Sequence, residues 1–422
     1  MSIQTTEVII VGAGQAGVAM SEHLLKAGIP HLVLERARIA ERWRTGRWDS
    51  LVANGPAWHD RFPGLELPGG PDAFVPKEQV ADYFVSYVKH LNSPVRCGVE
   101  VQKVTRLAGR SGFLVETNSG PFEAQYVVAA TGAFQTPVIP SIVPKDAGVT
   151  QFHSAHYRNP EQLPEGAVLV VGAGSSGVQI ADELARSGRK VYLSVGPHDR
   201  PPRSYRGRDF VWWLGVLNKW DAEATLGVEH TTIAVSGARG GHTVDFRRLA
   251  AEGITLLGRS DSYANGKLHF ADDLRTNIER GDKNYLSVLD EADAYVQRSG
   301  IDLPLEPQAR EFLPLPECVL QPLKTLDLGK AGISTILWAT GYVSDYSWLP
   351  ADAVGTDGRP NHQRGVGGAP GIYFLGLPWQ TRRGSSFIWG VWYDAKYVAD
   401  HITKQNDYMT YQPNTPQLST QV

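Results

Sequence analysis

From Glu7 to Val11 the chain runs through Val8, Ile9 and Ile10 without a polar break. A run this short and continuous is what a strand buried on both faces requires. It ends in Gly12-Ala13-Gly14-Gln15-Ala16-Gly17, after which a helical pattern extends to Lys26 and Gly28 stops it. A second apolar run, His31 to Leu34, delivers Glu35, completing a strand–helix–strand unit. The same design returns at Ala167 to Val171, then Gly172-Ala173-Gly174-Ser175-Ser176-Gly177, a helix to Arg186, a stop at Gly188 and a strand from Lys190 to Val195. One glycine triplet is a weak signal; two copies, each between a strand and a helix, are a strong one.

Between the two units, alternation in Val99 to Val104 and in Phe113 to Thr117 flanks a Gly-Arg-Ser-Gly turn and predicts antiparallel strands. This region closes on Tyr126 to Ala129 followed by Ala130-Thr131-Gly132, and a similar turn recurs as Ile336-Leu337-Trp338 followed by Ala339-Thr340-Gly341. Both read as crossings between two dinucleotide domains. Pro137, Pro140 and Pro144 mark a stiff linker into the second. Residues 203–330 hold tryptophans and polar helices without an assignable motif, while a strand at Gly371 to Leu375 and a helix from Ser386 to Ile402 complete the first domain. The expected fold is α/β with two Rossmann-like domains, the second inserted in the first: residues 1–145, then 146–331 with a helical insertion, then 332–422, with a frayed tail from Gln405.

A length of 422 residues, 42% hydrophobic and 20% charged content and 44 glycines fit such a protein. A net charge of -3 argues against a broad nucleic-acid surface. The two cysteines, Cys97 and Cys318, form no CxxC pair and no metal-ligand spacing, so no metal is expected and a reduced cytoplasm is the natural setting. The start, Met-Ser-Ile-Gln, lacks a basic, cleavable leader, and no run nears the roughly 18 apolar residues of a membrane span.

The glycines divide the work of binding a pyrophosphate. Gly12 permits the tight turn, Gly14 lets the backbone approach the phosphates, and Gly17 allows close helix–strand packing, with the anion on the helix N-terminus. Glu35, at the end of the second strand, is placed to accept hydrogen bonds from an adenosine ribose. After the second unit the strand end carries no acid; instead Ser194, Arg200 and Arg203 follow. Basic residues there suit a 2′-phosphate, which favours NADPH over NADH.

Together these stretches resemble the class B flavin-dependent monooxygenases, in particular bacterial flavin-containing monooxygenases and plant YUCCA-type enzymes. The resemblance rests on Gly12 to Gly17, Glu35-Arg36, Trp43-Arg44, Arg47 to Leu51, Phe74 to Lys77, Ala130 to Gly132, His153 to Arg158, Gly172 to Gly177, Ala339-Thr340-Gly341-Tyr342 and Thr381 to Gly384. Of the family signature Phe-x-Gly-x-x-x-His-x-x-x-aromatic, His153 and Tyr157 fit, while Ala147 and Val149 occupy the Phe and Gly positions. It implies FAD held by Gln15, Ala16, Arg36, Trp43, Arg44 and Ala130 to Gly132 besides the first glycines, and NADPH held by Ser175, Ser176 and Ala339 to Tyr342 besides the second. Asn54, in Asn-Gly-Pro, would face the flavin, where an uncharged amide offers donor and acceptor together. As a structural alternative, Asn-Gly-Pro is simply a good turn.

The implied reaction is reduction of FAD by NADPH, addition of O2 at flavin C4a to give a hydroperoxyflavin, and transfer of one oxygen to a small organic substrate. Tyr157 and Asn-Gly-Pro favour N- or S-oxygenation; Baeyer–Villiger insertion and YUCCA-like oxidative decarboxylation remain alternatives. Trp338, Trp379, Trp389 and Trp392 are candidate walls for a dry pocket, although aromatic residues are also ordinary core. A disulfide reductase lacks its cysteine pair here. An NAD(P)H oxidase releasing H2O2 and a non-catalytic nucleotide sensor are the competing classes. The oligomeric state is open, a homodimer being one option.

Overall fold

The computed structural model of the protein describes residues 3–224 and 232–412. The first glycine unit lies in a nine-stranded sheet whose main path runs His362–Gln363, Val366–Gly367, Ile372–Phe374, Phe122–Ala129, Gln4–Val11, His31–Glu35, Val95–Cys97. A hairpin, Val101–Arg106 with Phe113–Thr117, branches from Phe122–Ala129. The second unit lies in a five-stranded parallel sheet ordered Thr255–Leu257, Val191–Ser194, Ala167–Val171, Ile333–Trp338, Thr150–His153. The fold is therefore α/β with two Rossmann-like units, one inserted in the other.

Strand register explains why the motifs converge. Val11 lies opposite both Leu34 and Ala129, so Gly12, Glu35 and Ala130 emerge together at one sheet edge. Val171 lies opposite Ser194 and Trp338, which brings Gly172, Val195 and Ala339 to the matching edge of the other sheet. Such carboxyl edges are where open α/β sheets bind ligands. The turn needs glycine: Gly12 has φ 107° and a Cβ there would stand 2.7 Å from the Ala130 carbonyl oxygen. At Gly17 a Cβ would run into the Gly12 carbonyl, and Gly177 stands in the same relation to Gly172. The helices that follow, Gln15–Ala27 and Ser175–Arg186, start at Gly14 and Gly174 without a side-chain cap, which leaves their first N–H groups for a ligand.

Trp43 packs against the main hydrophobic clusters of both domains, and Trp48 and Leu51, though early in the chain, are buried in the second. Burial of a leucine such as Leu51 contributes about 1.5–3 kcal/mol, so this early segment fastens the two sheets together. Polar contacts fix its orientation: Ser50 Oγ donates to Glu183 at 2.6 Å, Tyr157 donates to the other Glu183 oxygen at 2.8 Å, and Asn159 donates to Asp49 at 2.7 Å.

Three expectations need correction. Ile333–Trp338 sits between Ala167–Val171 and Thr150–His153 in the second sheet, so the boundary drawn at 332 belongs after this strand. Its apolar run was legible; the sheet it joins depends on long-range pairing. The last helix spans Ile388–Thr410 and passes Gln405 intact, because Asn406 is hydrogen-bonded to Glu7 and accepts from the Tyr126 hydroxyl at 2.8 Å. Residues 413–422 of the tail lie outside the described residues. The motif-free region is not purely helical: beside Phe210–Val216 and Leu274–Ser299 it contributes Ser260–Ala264, Lys267–Phe270 and Thr325–Asp327, a small antiparallel sheet.

Candidate active site

Between the two sheet edges runs a cleft of about 2070 Å³, lined by both glycine turns, both Ala-Thr-Gly turns and Asn54. Small-molecule pockets are commonly about 300–1,000 Å³, so this volume suits extended ligands.

At the first edge the space above Gly14 is open, with no atom within 4 Å of where its Cβ would be. Gln15 donates to the Ser386 carbonyl at 2.7 Å, tying the turn to the start of the last helix, and Ala16 is buried beneath it. Glu35 accepts from the backbone N–H groups of Ala13 and Ala37, both at 2.9 Å. It thereby shapes the glycine turn as well as lining the cleft. Arg36, Trp43, Ala130, Thr131 and Gly132 also line it, with Gln135 donating to the Thr131 hydroxyl and the Gly132 carbonyl, each at 2.9 Å. Arg44 does not face the cleft. Its guanidinium bridges Glu78 at 3.0 Å and Asp82 at 2.8 Å on the helix Lys77–Leu91, because Glu78 and Asp82 are a helical turn apart on the face it reaches.

The arginines that do enter there are Arg42 and Arg47. Arg42 donates to the Phe134 carbonyl at 2.5 Å and lies over the Tyr342 ring; Arg47 lies 4.4 Å over the Phe134 ring. Burial, together with the positive charge of neighbouring arginines, depresses the pKa of each.

At the second edge, Gly172, Gly174, Ser175, Ser176 and Gly177 face the cleft with Ala339, Thr340, Gly341 and Tyr342. Thr232 stands over Gly174 with its methyl group, and Ser175 donates to the Ile233 carbonyl at 2.9 Å, so the strand Thr232–Ile233 crosses the mouth of this turn. Thr340 donates to the Val138 carbonyl at 2.5 Å, which joins the two crossings.

The basic residues expected beside Ser194 go elsewhere. Arg200 is 2% exposed and donates to Asp282 at 2.6 Å, a carboxylate that Arg247 also grips at 2.6 Å. A buried arginine needs such a partner, so Arg200 belongs to the interior of the domain. Arg203 does line the cleft, but its guanidinium donates to the Asn54 carbonyl and to Asp209, both at 2.6 Å. Ser194 also lines it, with its hydroxyl donating to the Gly258 carbonyl at 2.9 Å. Arg259 and Arg280 share the cleft wall with Ser194, Gly196 and Ser260, a placement that no local motif signalled. Strand pairing of Val191–Ser194 with Thr255–Leu257 brings Arg259 there.

Asn54 stands where the two halves meet. Gln179, on the helix of the second unit, donates to its Oδ1 at 3.0 Å and to the Val235 carbonyl at 2.8 Å. With Oδ1 so occupied, the NH2 group is what Asn54 can offer as a donor. The loop is pinned on both sides, Ala53 N–H donating to Val75 at 2.8 Å and Ala57 N–H to Ala73 at 2.9 Å.

His153 is fully buried, its Nδ1 accepts the Ala155 N–H at 3.1 Å, and burial lowers its pKa, so it caps a turn in the crossing. Of the suggested walls, Trp379 and Trp338 both border the cleft, Trp338 with its buried indole donating to Gln151 at 3.2 Å, whereas Trp392 lies away from it and donates to Glu22 at 2.6 Å. Trp389 packs at a tilt against Trp220, which together with Phe210, Val211 and Leu214 forms a wall the sequence did not single out.

Comparison with known proteins agrees with this geometry. Residues 5–47 match a model described as FAD binding domain, and residues 58–212 one described as pyridine nucleotide-disulphide oxidoreductase. An "Uncharacterized oxidoreductase CzcO-like" from Geobacillus kaustophilus is 34% identical over 94% of this chain and 98% of its own. "Probable indole-3-pyruvate monooxygenase YUCCA1" of Arabidopsis thaliana is 27% identical over 94% of this chain and 89% of its own. The structure of a flavin-containing monooxygenase from Stenotrophomonas maltophilia matches with a TM-score of 0.66 at 18% identity, covering 96% of this chain and all of that one.

The chain belongs to the class B flavin-dependent monooxygenases. The cofactors of this flavin monooxygenase are FAD and NADPH. Its residues fit them: the open cradle at Gly14, the uncapped helix starts and the cleft-lining guanidiniums of Arg42 and Arg47 are complementary to dinucleotide phosphates. The thiols of the flavin monooxygenase stand apart, Cys97 exposed at a strand end of the first sheet and Cys318 against the second core, and burial raises both pKa values, away from the reactive thiolate of a disulfide reductase. Among the described residues no helix is long and apolar enough to cross a membrane.

Proposed function

We propose that this flavin monooxygenase transfers one atom of O2 to nitrogen or sulfur of a small organic substrate. The observation that carries the reading is the side-chain amide of Asn54, held by Gln179 in the cleft between the two glycine turns, with Arg203 gripping the Asn54 backbone carbonyl. The positive charge of Arg203 is balanced by Asp209 at 2.6 Å, so the group presented there is a neutral donor. A neutral donor stabilises an anionic oxygen, the form that carbonyl insertion needs, less than a cation in its place would, and so leaves more of the protonated, electrophilic form that a soft nitrogen or sulfur attacks.

Bound flavin supplies two-electron transfer from NADPH and the activation of O2. The chain supplies position and dryness. Gly12, Gly14, Gln15, Ala16, Gly17 and Ala130 to Gly132 would hold FAD, with Glu35 and Arg36 available to its ribose and Trp43 against the loop. Gly172, Gly174, Ser175, Ser176, Gly177 and Ala339 to Tyr342 would hold NADPH, with Arg259 and Arg280, in place of Arg200 and Arg203, available to its 2′-phosphate. The buried side chains of Phe210, Leu214 and Trp220 would form the apolar wall that keeps water from the reacting end.

The test is to reduce the FAD-loaded protein anaerobically with NADPH, admit O2 with a thioether, a tertiary amine or a ketone, and balance NADPH consumed against product and H2O2. Sulfoxide or N-oxide matching the NADPH consumed supports the reading. An ester from the ketone, or stoichiometric H2O2 with every probe, replaces it with carbonyl insertion or an oxidase.

A further inference from the structure

Arg383 lies at the aromatic end of the cleft and is used by nothing described so far. The turn before the last helix is clipped to the segment after Phe210–Val216: Arg383 N–H donates to Ala222 at 2.9 Å, Gly384 N–H to Trp220 at 3.1 Å, and Arg382 pairs with Asp221. This fixes Arg383 against the wall formed by Phe210, Leu214 and Trp220. Its guanidinium lies 5.5 Å over the Trp379 ring, and its Nε is buried without a hydrogen-bond partner.

Three other cations of the cleft have visible duties. Arg203 is committed to Asn54 and Asp209, and Arg42 and Arg47 lie beside Tyr342 and Phe134, by the two crossings. Arg383 feels Asp199 and Glu291 only at a distance, and among the described residues it forms no ion pair. Burial depresses its pKa, as expected for a cation awaiting an anion. A planar guanidinium with apolar walls beside it is suited to a carboxylate, which it can grip with two parallel hydrogen bonds.

We propose that Arg383 anchors a carboxylate on the substrate, so that this enzyme oxygenates organic acids whose apolar body lies against Trp379, Trp220 and Phe387. The proposal rests on the heteroatom-oxygenation reading and deepens it by naming the substrate class. Arg383 is then a specificity-determining residue, and the bidentate grip holds the reacting atom at a fixed distance from it.

(Phenylthio)acetate and (phenylthio)acetamide separate charge from shape, since they share the ring and the sulfur. Each is titrated into FAD-loaded protein without NADPH, and binding is read from quenching of tryptophan fluorescence, which needs no turnover. The acid should bind about tenfold or more tightly than the amide, as a charge-assisted pair replaces a neutral contact. Arg383→Gln should remove that difference and Arg383→Lys should keep part of it. Equal affinities in the parent protein, or a preference that survives in R383Q, overturn the proposal. So does a loss of NADPH affinity in R383Q with the acid preference intact, which would assign Arg383 to the cofactor. Should R383Q fail to fold, the acid-to-amide ratio in the parent, and its decline as salt is raised, still decides. Feeding NADPH and O2 to both probes tests the parent reading separately: sulfoxide from both without any acid preference sinks the Arg383 assignment alone, whereas tight binding of the acid with only H2O2 formed supports the anchor and sinks heteroatom oxygenation.

Discussion

Gln179→Leu is the perturbation that best tests how Asn54 is aimed. Gln179 is 7% exposed and spends both hydrogens of its amide, one on Asn54 Oδ1 and one on the Val235 carbonyl. Leucine keeps a similar volume but donates nothing. A neutral hydrogen bond is worth about 1 kcal/mol net, and the abandoned Val235 carbonyl adds about 1–3 kcal/mol if no water reaches it, so a stability loss of about 2–4 kcal/mol is expected. The functional share is the Asn54 bond alone: losing about 1 kcal/mol of orientation raises the misdirected population of the amide about fivefold. The variant should therefore still be reduced by NADPH but release several-fold more H2O2 per NADPH with a thioether present, measured as the ratio of peroxide to sulfoxide. Asn54→Ala should show the same leak. In the double variant the two effects should not add, because both act through one amide. If Q179L couples as tightly as the parent while N54A leaks, or if the leaks add fully, Gln179 is a packing residue and the reasoning fails.

Other residues give equally direct checks. Gly14→Val should leave the apoprotein folded, with a melting temperature near that of the parent, because Gly14 is extended and its Cβ position is open, yet purify without FAD; a yellow variant would overturn the phosphate role. Arg259→Ala should raise KM for NADPH about tenfold or more and leave that for NADH nearly unchanged, since a charged hydrogen bond is worth about 1.5–3 kcal/mol; equal effects on both would remove the 2′-phosphate assignment. Arg200→Met should instead cost about 1.5–3 kcal/mol of stability without altering that preference, because it removes charge-assisted hydrogen bonds to Asp282, which keeps Arg247 as its partner. Burial lowers the pKa of both His23 and His198 to about 4 from 6.5. A depressed folded value means that the unfolded chain takes up the proton first, so the contribution is complete above about 6.5 and lost as pH falls toward 4. At pH 5 that is about 2 kcal/mol for each histidine, to be read as a lower denaturant midpoint than at pH 7 with FAD saturating; an unchanged midpoint would mean that these rings are protonated in the folded protein.

The sequence by itself determined the local units. A continuous apolar strand, a turn that only glycine tolerates at Gly12 and Gly17, and a helix stopped at Gly28 by its left-handed C-cap are all short-range chemistry, so both dinucleotide units and their glycines were legible. Glu35 and the small-residue turns after Ala129 and Trp338 were legible for the same reason: each directly follows or ends a strand whose register is set by its own buried pattern. What only the tertiary structure decided was which long side chains reach the cleft. Arg44 and Arg200 look as available in sequence as Arg42, Arg259 and Arg383, but a guanidinium on a flexible stem goes to whichever carboxylate or carbonyl lies within reach. Glu78 and Asp282, which capture them, lie on helices 34 and 82 residues further along the chain. The same holds for Ile333–Trp338, whose sheet is chosen by pairing with strands more than a hundred residues earlier, and for Asn54, whose aim is set by Gln179 across the domain boundary.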